Sequence, residues 1–497
     1  MKVAVLIFMA LAVSVILTQA NPAAAGTYSF SQLDKGMVSD DLYPAINNQG
    51  QIVWYHHGCQ FEIGNPPDTS WYIEEGKYYF YQGGSLTPLN IHTNYAYPWN
   101  YFHAPLPLLN DRGQIGYVIQ DYNDGGYKIY FNDGPGSSPQ LASGSFPMKW
   151  DLQLNQQGQM VWYCSDANSI AQVYLFNNGQ GQGSPITSYT SSAGLVGFFS
   201  GLSLNDAGQV VWIDRTYDAT STLVHNIQLY QSGVTTRIYS TYNQIFYTKI
   251  NKQGQVVWSE RAGVQSNIML YDNGSANPIA GGDGVLDAQN VPFLQINNKG
   301  QVMWLGKTTA NSEYNIYLYS NGSTTQVTNY TNNGTGVGII DVFENNSDER
   351  TKFAPYLNNN GEIVWVTKVP NSSNPTYYDL AVQVYSGGQV TQLDRWTYNW
   401  SMASTWTQDT MYPAYAQIND AGQVTWCRYN GAPDVADRNS DFEIYLATPV
   451  TLANAIKSLQ VLTGMMNVPG AGDVTGDKKI GLEDVIYSLQ SVSGLRP

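Results

Sequence analysis

Flat aromatic rings set in weakly charged segments can stack on the C–H faces of sugars, while amides and hydroxyls nearby satisfy the sugar hydroxyls. This sequence places such rings in two long segments, Tyr95, Tyr97, Trp99, Tyr101 and Phe102, then Trp396, Tyr398, Trp400 and Trp406. Tyr97, Trp99, Tyr101, Trp396, Trp400 and Trp406 are therefore the candidate ligand-binding residues. The competing reading is that long connections bury their own aromatics as small satellite cores. Groups suited to catalysis are sparser. Of the 5 histidines, His56 and His57 are adjacent at a strand end, so their side chains point to opposite faces and make poor joint metal ligands. No HExxH, GxSxG or P-loop pattern occurs. Asp341, Glu344, Asp348 and Glu349 cluster in one connection whose polar neighbours mark a solvated loop; a metal or acid/base site is the alternative.

A second kind of chemistry lies near the C-terminus, in Asp473-Val474-Thr475-Gly476-Asp477-Lys478-Lys479-Ile480-Gly481-Leu482-Glu483-Asp484. This segment resembles the dockerin calcium loop, a variant of the EF-hand. The resemblance implies a Ca2+ site in which Asp473, Thr475, Asp477 and Asp484 hold positions 1, 3, 5 and 12, and Lys479 offers its carbonyl at position 7. Calcium is a hard cation that takes several oxygens, and oxygens at alternate loop positions can wrap it. Thr475 replaces the usual Asn or Asp, Lys478 replaces the sharp-turn Gly, and Gly481 can hold only a water. The expected affinity is accordingly ~10⁻⁴–10⁻³ M, as in extracellular modules. A calcium-free acidic helix cap is the alternative.

The loop sits between two matching stretches, Leu452–Gly464 and Leu482–Gly494, each with apolar residues at helical spacing (Leu452, Ile456, Leu459; Leu482, Ile486, Leu489), so two amphipathic helices can pack together. A complete dockerin has two calcium loops. Here only Thr448-Pro449-Val450-Thr451 precedes the first stretch, so the expected role is a calcium-stabilised tail that docks to a surface or protein partner.

The elements that must position these residues are repeats. INNQGQIVW from Ile46 recurs as LNDRGQIGY from Leu109, LNQQGQMVW from Leu154, LNDAGQVVW from Leu204 and INKQGQVVW from Ile250. INNKGQVMW from Ile296, LNNNGEIVW from Leu357 and INDAGQVTW from Ile418 complete the eight. The glycines, Gly50 to Gly422, are 45 to 63 residues apart, which suits one four-stranded propeller blade plus variable loops. Each copy reads as a hairpin: an apolar residue ends one strand, Asn-x-x-Gly turns the chain, and Gln-Ile/Val-x-Trp opens the next. That next strand is apolar on both faces, as a blade covered by two neighbours requires. Seven of the 13 tryptophans hold the repeat position (Trp54, Trp162, Trp212, Trp258, Trp304, Trp365, Trp426), with Tyr117 standing in once, and they are read as core. A Tyr-rich strand such as NIYLYSNG from Asn315 and a polar β-branched strand such as Thr324–Thr328 follow, giving four strands per repeat.

The last repeat stops after its third strand, at Ala447, and Thr27–Leu33 reads as the missing fourth. An N-terminal strand in that place closes a ring and removes exposed edges. The expected fold is thus all-β: an eight-bladed β-propeller of four-stranded antiparallel blades over 26–447, closed by its N-terminal strand, with a small two-helix calcium-binding module over 448–497. An open β-solenoid is the runner-up. The Asn-x-x-Gly-Gln-Val-Val pattern resembles the extracellular HAF repeats, with Trp where that family usually has a second Gly. That resemblance implies a surface or secreted propeller and no particular reaction.

Residues 1–25 read as a signal peptide: Lys2, an apolar run from Val3 to Leu17, and Ala23 and Ala25 in the positions signal peptidase reads, with a second site possible after Ala20. The expectation is a secreted, extracellular or cell-surface protein with no membrane span. Cys59, Cys164 and Cys427 include no CxxC pair; either all three are buried thiols, or Cys59 and Cys427 bridge the first and last repeats. With 23 Lys+Arg against 38 Asp+Glu the chain lacks the basic face that nucleic acid demands. Two functions remain: a non-catalytic binding or adhesion protein for an extracellular polysaccharide or surface protein, and an extracellular polysaccharide lyase or hydrolase with an attachment tail. Paired carboxylates facing the central channel would favour the second.

Overall fold

The Asn-x-x-Gly motif forms the same tight turn in all eight copies. In the first, the Asn47 N–H donates to the Gln51 carbonyl at 3.0 Å and the Gly50 N–H to the Asn47 carbonyl at 3.1 Å. Gly50 has φ +70°, in the left-handed region that a residue with a Cβ enters only at a cost. The Gln after the glycine belongs to the turn, and the second strand starts one residue later, at Ile52.

In the computed structural model the described residues run from 28 to 450, less the longer connections (chiefly 58–59, 64–69, 90–106, 191–200, 282–292, 332–337, 340–354, 400–414 and 430–441) and some shorter stretches, with 484–486 and 488 beyond. Within them the chain builds eight four-stranded antiparallel blades, seven of which run outward from the centre in sequence order. Blade 4 is representative: Ser203–Leu204 is innermost, then Val210–Tyr217, Leu223–Gln231 and Val234–Thr241. Blade 7 carries an additional pairing of Gly338–Ile339 with Ile363–Pro370, and the connection in blade 1 holds a small hairpin, Gln60–Ile63 with Ser70–Ile73.

Blade 8 closes the ring as the orphan strand foretells. Tyr28–Gln32 pairs antiparallel with Phe442–Pro449 as the outermost strand, Tyr28 opposite Pro449 and Gln32 opposite Tyr445. The third strand therefore extends two residues past Ala447, because Thr448 and Pro449 are held in register by Ser29 and Tyr28.

The core lies between blades. All seven repeat tryptophans are at most 1% exposed. Trp54, Trp162, Trp304 and Trp426 each stack on their cross-strand tyrosine, Tyr79, Tyr174, Tyr317 and Tyr445, at 5.7–6.1 Å between ring centroids, and Tyr117 stacks likewise on Tyr130 at 5.6 Å. Such pairs add to simple area burial. Three indole N–H groups are satisfied by the preceding blade: Trp212 by Tyr189, Trp365 by Tyr330 and Trp426 by Asp394. Cys164 and Cys427 are buried, and Cys59 lies outside the described residues. Beyond the propeller the structure describes one short helix, residues 484–486; the second helix and the calcium loop expected over 448–497 fall outside the described residues.

Candidate functional site

The turns converge at one mouth of the central channel, around a cavity of about 270 Å³. The motif asparagines (Asn47, Asn110, Asn155, Asn205, Asn251, Asn297, Asn358 and Asn419) are 3–5% exposed and use all of their bonding capacity. In each, Oδ1 accepts the N–H groups two and four residues on, as from Ala207 at 3.0 Å and Gln209 at 2.9 Å in blade 4. One Nδ2 hydrogen goes to the Gln or Glu of the same turn, as from Asn205 to Gln209 at 2.6 Å. The other crosses to the backbone carbonyl of the next blade's asparagine, at 2.8–3.0 Å in all eight junctions. The last of these, Asn419 to Asn47, ties blade 8 to blade 1. The belt is continuous.

The glycine serves the belt a second time. A Cβ on Gly158 would sit 2.8 Å from Oε1 of Gln114 in the preceding blade, and one on Gly361 would sit 2.7 Å from Nε2 of Gln301. The turn glutamine thus packs where only hydrogen leaves room.

A second belt is built by the residue after each asparagine: Asn48, Asp111, Gln156, Asp206, Lys252, Asn298, Asn359 and Asp420. A side-chain oxygen of one blade accepts the N–H of the equivalent residue in the preceding blade, at 2.8–3.0 Å in seven junctions. The two halves of the mouth differ. Across blades 7, 8, 1 and 2 the polar atoms satisfy one another: the Asn48 amide bridges Asp111 and Asp420, and Asn359 also bonds Asp420. Across blades 3 to 6 the Gln156 and Asn298 amide nitrogens, the Asp206 N–H and the Lys252 ammonium find no protein partner among the described residues. Tyr356, 40% exposed, faces the same channel, and its confinement there with the Asp420 and Asp111 carboxylates raises its phenol pKa.

The sequence-based candidates fare unevenly. Tyr97, Trp99, Tyr101, Trp400 and Trp406 lie outside the described residues, as do Asp341, Glu344, Asp348 and Glu349. Trp396 is not a rim residue: it is 5% exposed, packed between blades 7 and 8 with Leu380 and Trp426. It sits on Gln389–Asn399, where cross-strand pairing with Leu380 turns it inward. Asp473, Thr475, Asp477 and Lys479 are outside the described residues, and Asp484 is fully buried in the short helix, with Ile486 46% exposed. His225 is buried, and burial with nearby Arg215 lowers its pKa. Among the described residues no three His, Cys, Asp or Glu side chains come together as a metal site.

On the opposite face, where second and third strands are joined, Tyr217 and Tyr242 are 61% and 66% exposed. Asp218 fixes that corner, accepting from Thr220 and Thr222 with one oxygen and from the Tyr242 hydroxyl at 3.0 Å with the other. Those bonds to the charged form hold its pKa down at about 2.

Strand order and the belt define the class, an eight-bladed β-propeller with four-stranded antiparallel blades. No family model and no curated relative matches the chain. Among solved structures it is similar to the β-propeller domain of the Trilobed protease from Pyrococcus furiosus, at 9% identity over 72% of this chain and 98% of that one, with a TM-score of 0.46. It is also similar to the acylaminoacyl peptidase of Pyrococcus horikoshii (12% identity, 81% of this chain and 60% of that one, TM-score 0.45) and to TolB of Acinetobacter baumannii (14%, 68% and 78%, 0.35). Among the described residues no helix is long and apolar enough to cross a membrane.

Proposed function

We propose that this chain is a secreted or cell-surface binding protein whose propeller engages an extracellular polysaccharide, with the C-terminal segment as a calcium-stabilised docking module. The observation that carries the reading is the asymmetry of the channel mouth. One half is saturated by its own hydrogen bonds, while the other holds unpaired donors around a cavity on a rigid ring. Rigid, pre-positioned polar groups bind hydroxylated ligands with a reduced ordering cost. The exposed Tyr217 and Tyr242 on the far face, with the aromatic connections beyond the described residues, support a second contact of stacking type. In this reading Asp473, Thr475, Asp477, Lys479 and Asp484 hold the calcium, and the buried Asp484 is compatible with a ligand role.

One observation favours an extracellular lyase or hydrolase instead: Asp111 and Asp420 face the channel and share the Asn48 amide. All four of their oxygens accept hydrogen bonds from Asn48 or Asn359, which commits them to the belt. The test is retention of the chain on a panel of polysaccharides, with calcium and with chelator, while new reducing or unsaturated ends are assayed. Retention without turnover supports the binding protein; turnover that Asp111→Asn abolishes supports the enzyme.

A further inference from the structure

The second belt has one gap. At seven junctions the N–H of the residue after the motif asparagine finds a side-chain oxygen from the next blade. Between blades 4 and 5 the residue in the acceptor's place is Lys252, which has no acceptor atom. The Asp206 N–H is left without a protein partner among the described residues, and so is the Lys252 ammonium. The Asp206 carboxylate does not fill the gap, because its Oδ1 reaches back to the Gln156 N–H at 3.0 Å, toward blade 3. Asp206 and Lys252 both line the channel cavity, and Lys252 is the only cation among the described residues that line it.

We propose that this gap is a carboxylate-binding position for an acidic sugar, a hexuronate unit of a polysaccharide. One carboxylate oxygen accepts the Asp206 N–H, in the place that Asn298 Oδ1 takes for Lys252 one junction further on. The other oxygen pairs with the Lys252 ammonium, a charge-assisted contact. The Gln156 and Asn298 amide nitrogens flank the position as donors to ring hydroxyls, and the half-exposed Tyr356 ring offers a flat face in the same cavity. The cavity also holds the Asp111, Asp206 and Asp420 carboxylates, each already accepting belt hydrogen bonds, so the gap admits a single acid group among amide contacts and the Tyr356 ring, which favours an acidic sugar over an acidic peptide. The proposal deepens the polysaccharide reading and rests on it.

The experiment titrates the chain from residue 26 to 497 with trigalacturonate, with the neutral galactose trimer and with triglutamate, by calorimetry, for wild type, Lys252→Asn and Lys252→Arg. The expected result is a preference of about tenfold or more for the acidic over the neutral trimer, the scale of one charged hydrogen bond. Lys252→Asn should abolish that preference and raise the denaturation midpoint, since the new Oδ1 closes the belt; Lys252→Arg should keep the preference. A preference untouched by Lys252→Asn, or a midpoint that falls, overturns the proposal. Equal binding of the two sugar trimers overturns it while leaving the polysaccharide reading intact. Lys252-dependent binding of triglutamate alone overturns both, and assigns the gap to a protein partner.

Discussion

The side-chain amide of Asn419 donates to the backbone carbonyl of Asn47 at 2.9 Å, across 372 residues of chain. It is the same bond that joins every other pair of adjacent blades, so the ring closes on itself with no weaker seam at this level. The outer closure is separate: Tyr28–Gln32 completes blade 8 at the periphery.

Breaking the inner belt should be costly at any blade. Asn205→Asp keeps the size and the two accepted N–H bonds but loses both donors, leaving Gln209 Oε1 without its donor and the Asn251 carbonyl with the Gly254 N–H alone, beside a buried charge. Each buried unsatisfied group costs about 1–3 kcal/mol, so a loss of about 3 kcal/mol or more is expected in denaturant unfolding. A change under about 0.5 kcal/mol would mean that the belt contributes little.

The two roles of the turn glycine can be separated. Gly179→Ala meets only the left-handed backbone, φ +81° with nothing within 4 Å of the new Cβ, and should cost about 1–2 kcal/mol. Gly158→Ala has a similar φ of +78° but drives its Cβ to 2.8 Å from Gln114 Oε1. It should cost clearly more than Gly179→Ala in the same urea titration; equal costs would contradict the packing role.

Alkaline pH should loosen the closing strand. Tyr28 is 9% exposed, and burial, with a smaller effect of Glu362, pushes its pKa from 10.0 up to about 12. A raised folded pKa gives stability that is whole below pH 10 and is lost as pH rises toward 12, about 2–3 kcal/mol by linkage. Tyr28→Phe should therefore flatten the fall in stability between pH 10 and 12 relative to wild type. Identical pH profiles would show that Tyr28 does not report on closure.

Calcium should stabilise the C-terminal module and leave the propeller untouched. At ~10 mM calcium and a dissociation constant of ~10⁻⁴–10⁻³ M, linkage gives about 1–3 kcal/mol. The expected reading is a calcium-dependent shift in one calorimetric transition that Asp484→Ala removes. A shift that survives Asp484→Ala would place the ion elsewhere.

Most of the architecture was legible because each blade repeats the same constraints in sequence. The glycine of Asn-x-x-Gly marks the turn, and the tryptophan marks the strand buried on both sides. Thr27–Leu33 stood out because the last repeat lacked a fourth strand. The asparagine was legible only in part. Its local capping by Oδ1 follows from one repeat, whereas its Nδ2 bond to the next blade depends on how blades stack, which no single repeat encodes. The signal for the second belt was present but averaged away as a variable position: seven of the eight residues after the asparagine carry a side-chain carbonyl oxygen, and only Lys252 does not. Trp396 misled because aromatic residues near a long connection read alike whether they end a strand or leave it. Its pairing with Leu380 places it inside.

The most direct measurement of the central claim is retention of the chain from residue 26 to 497 on immobilised neutral and acidic polysaccharides, with the supernatant assayed for new reducing and unsaturated ends. The account expects retention, stronger on uronate-containing polymers, with no ends released. Release of ends, or no retention on any polysaccharide, would contradict it.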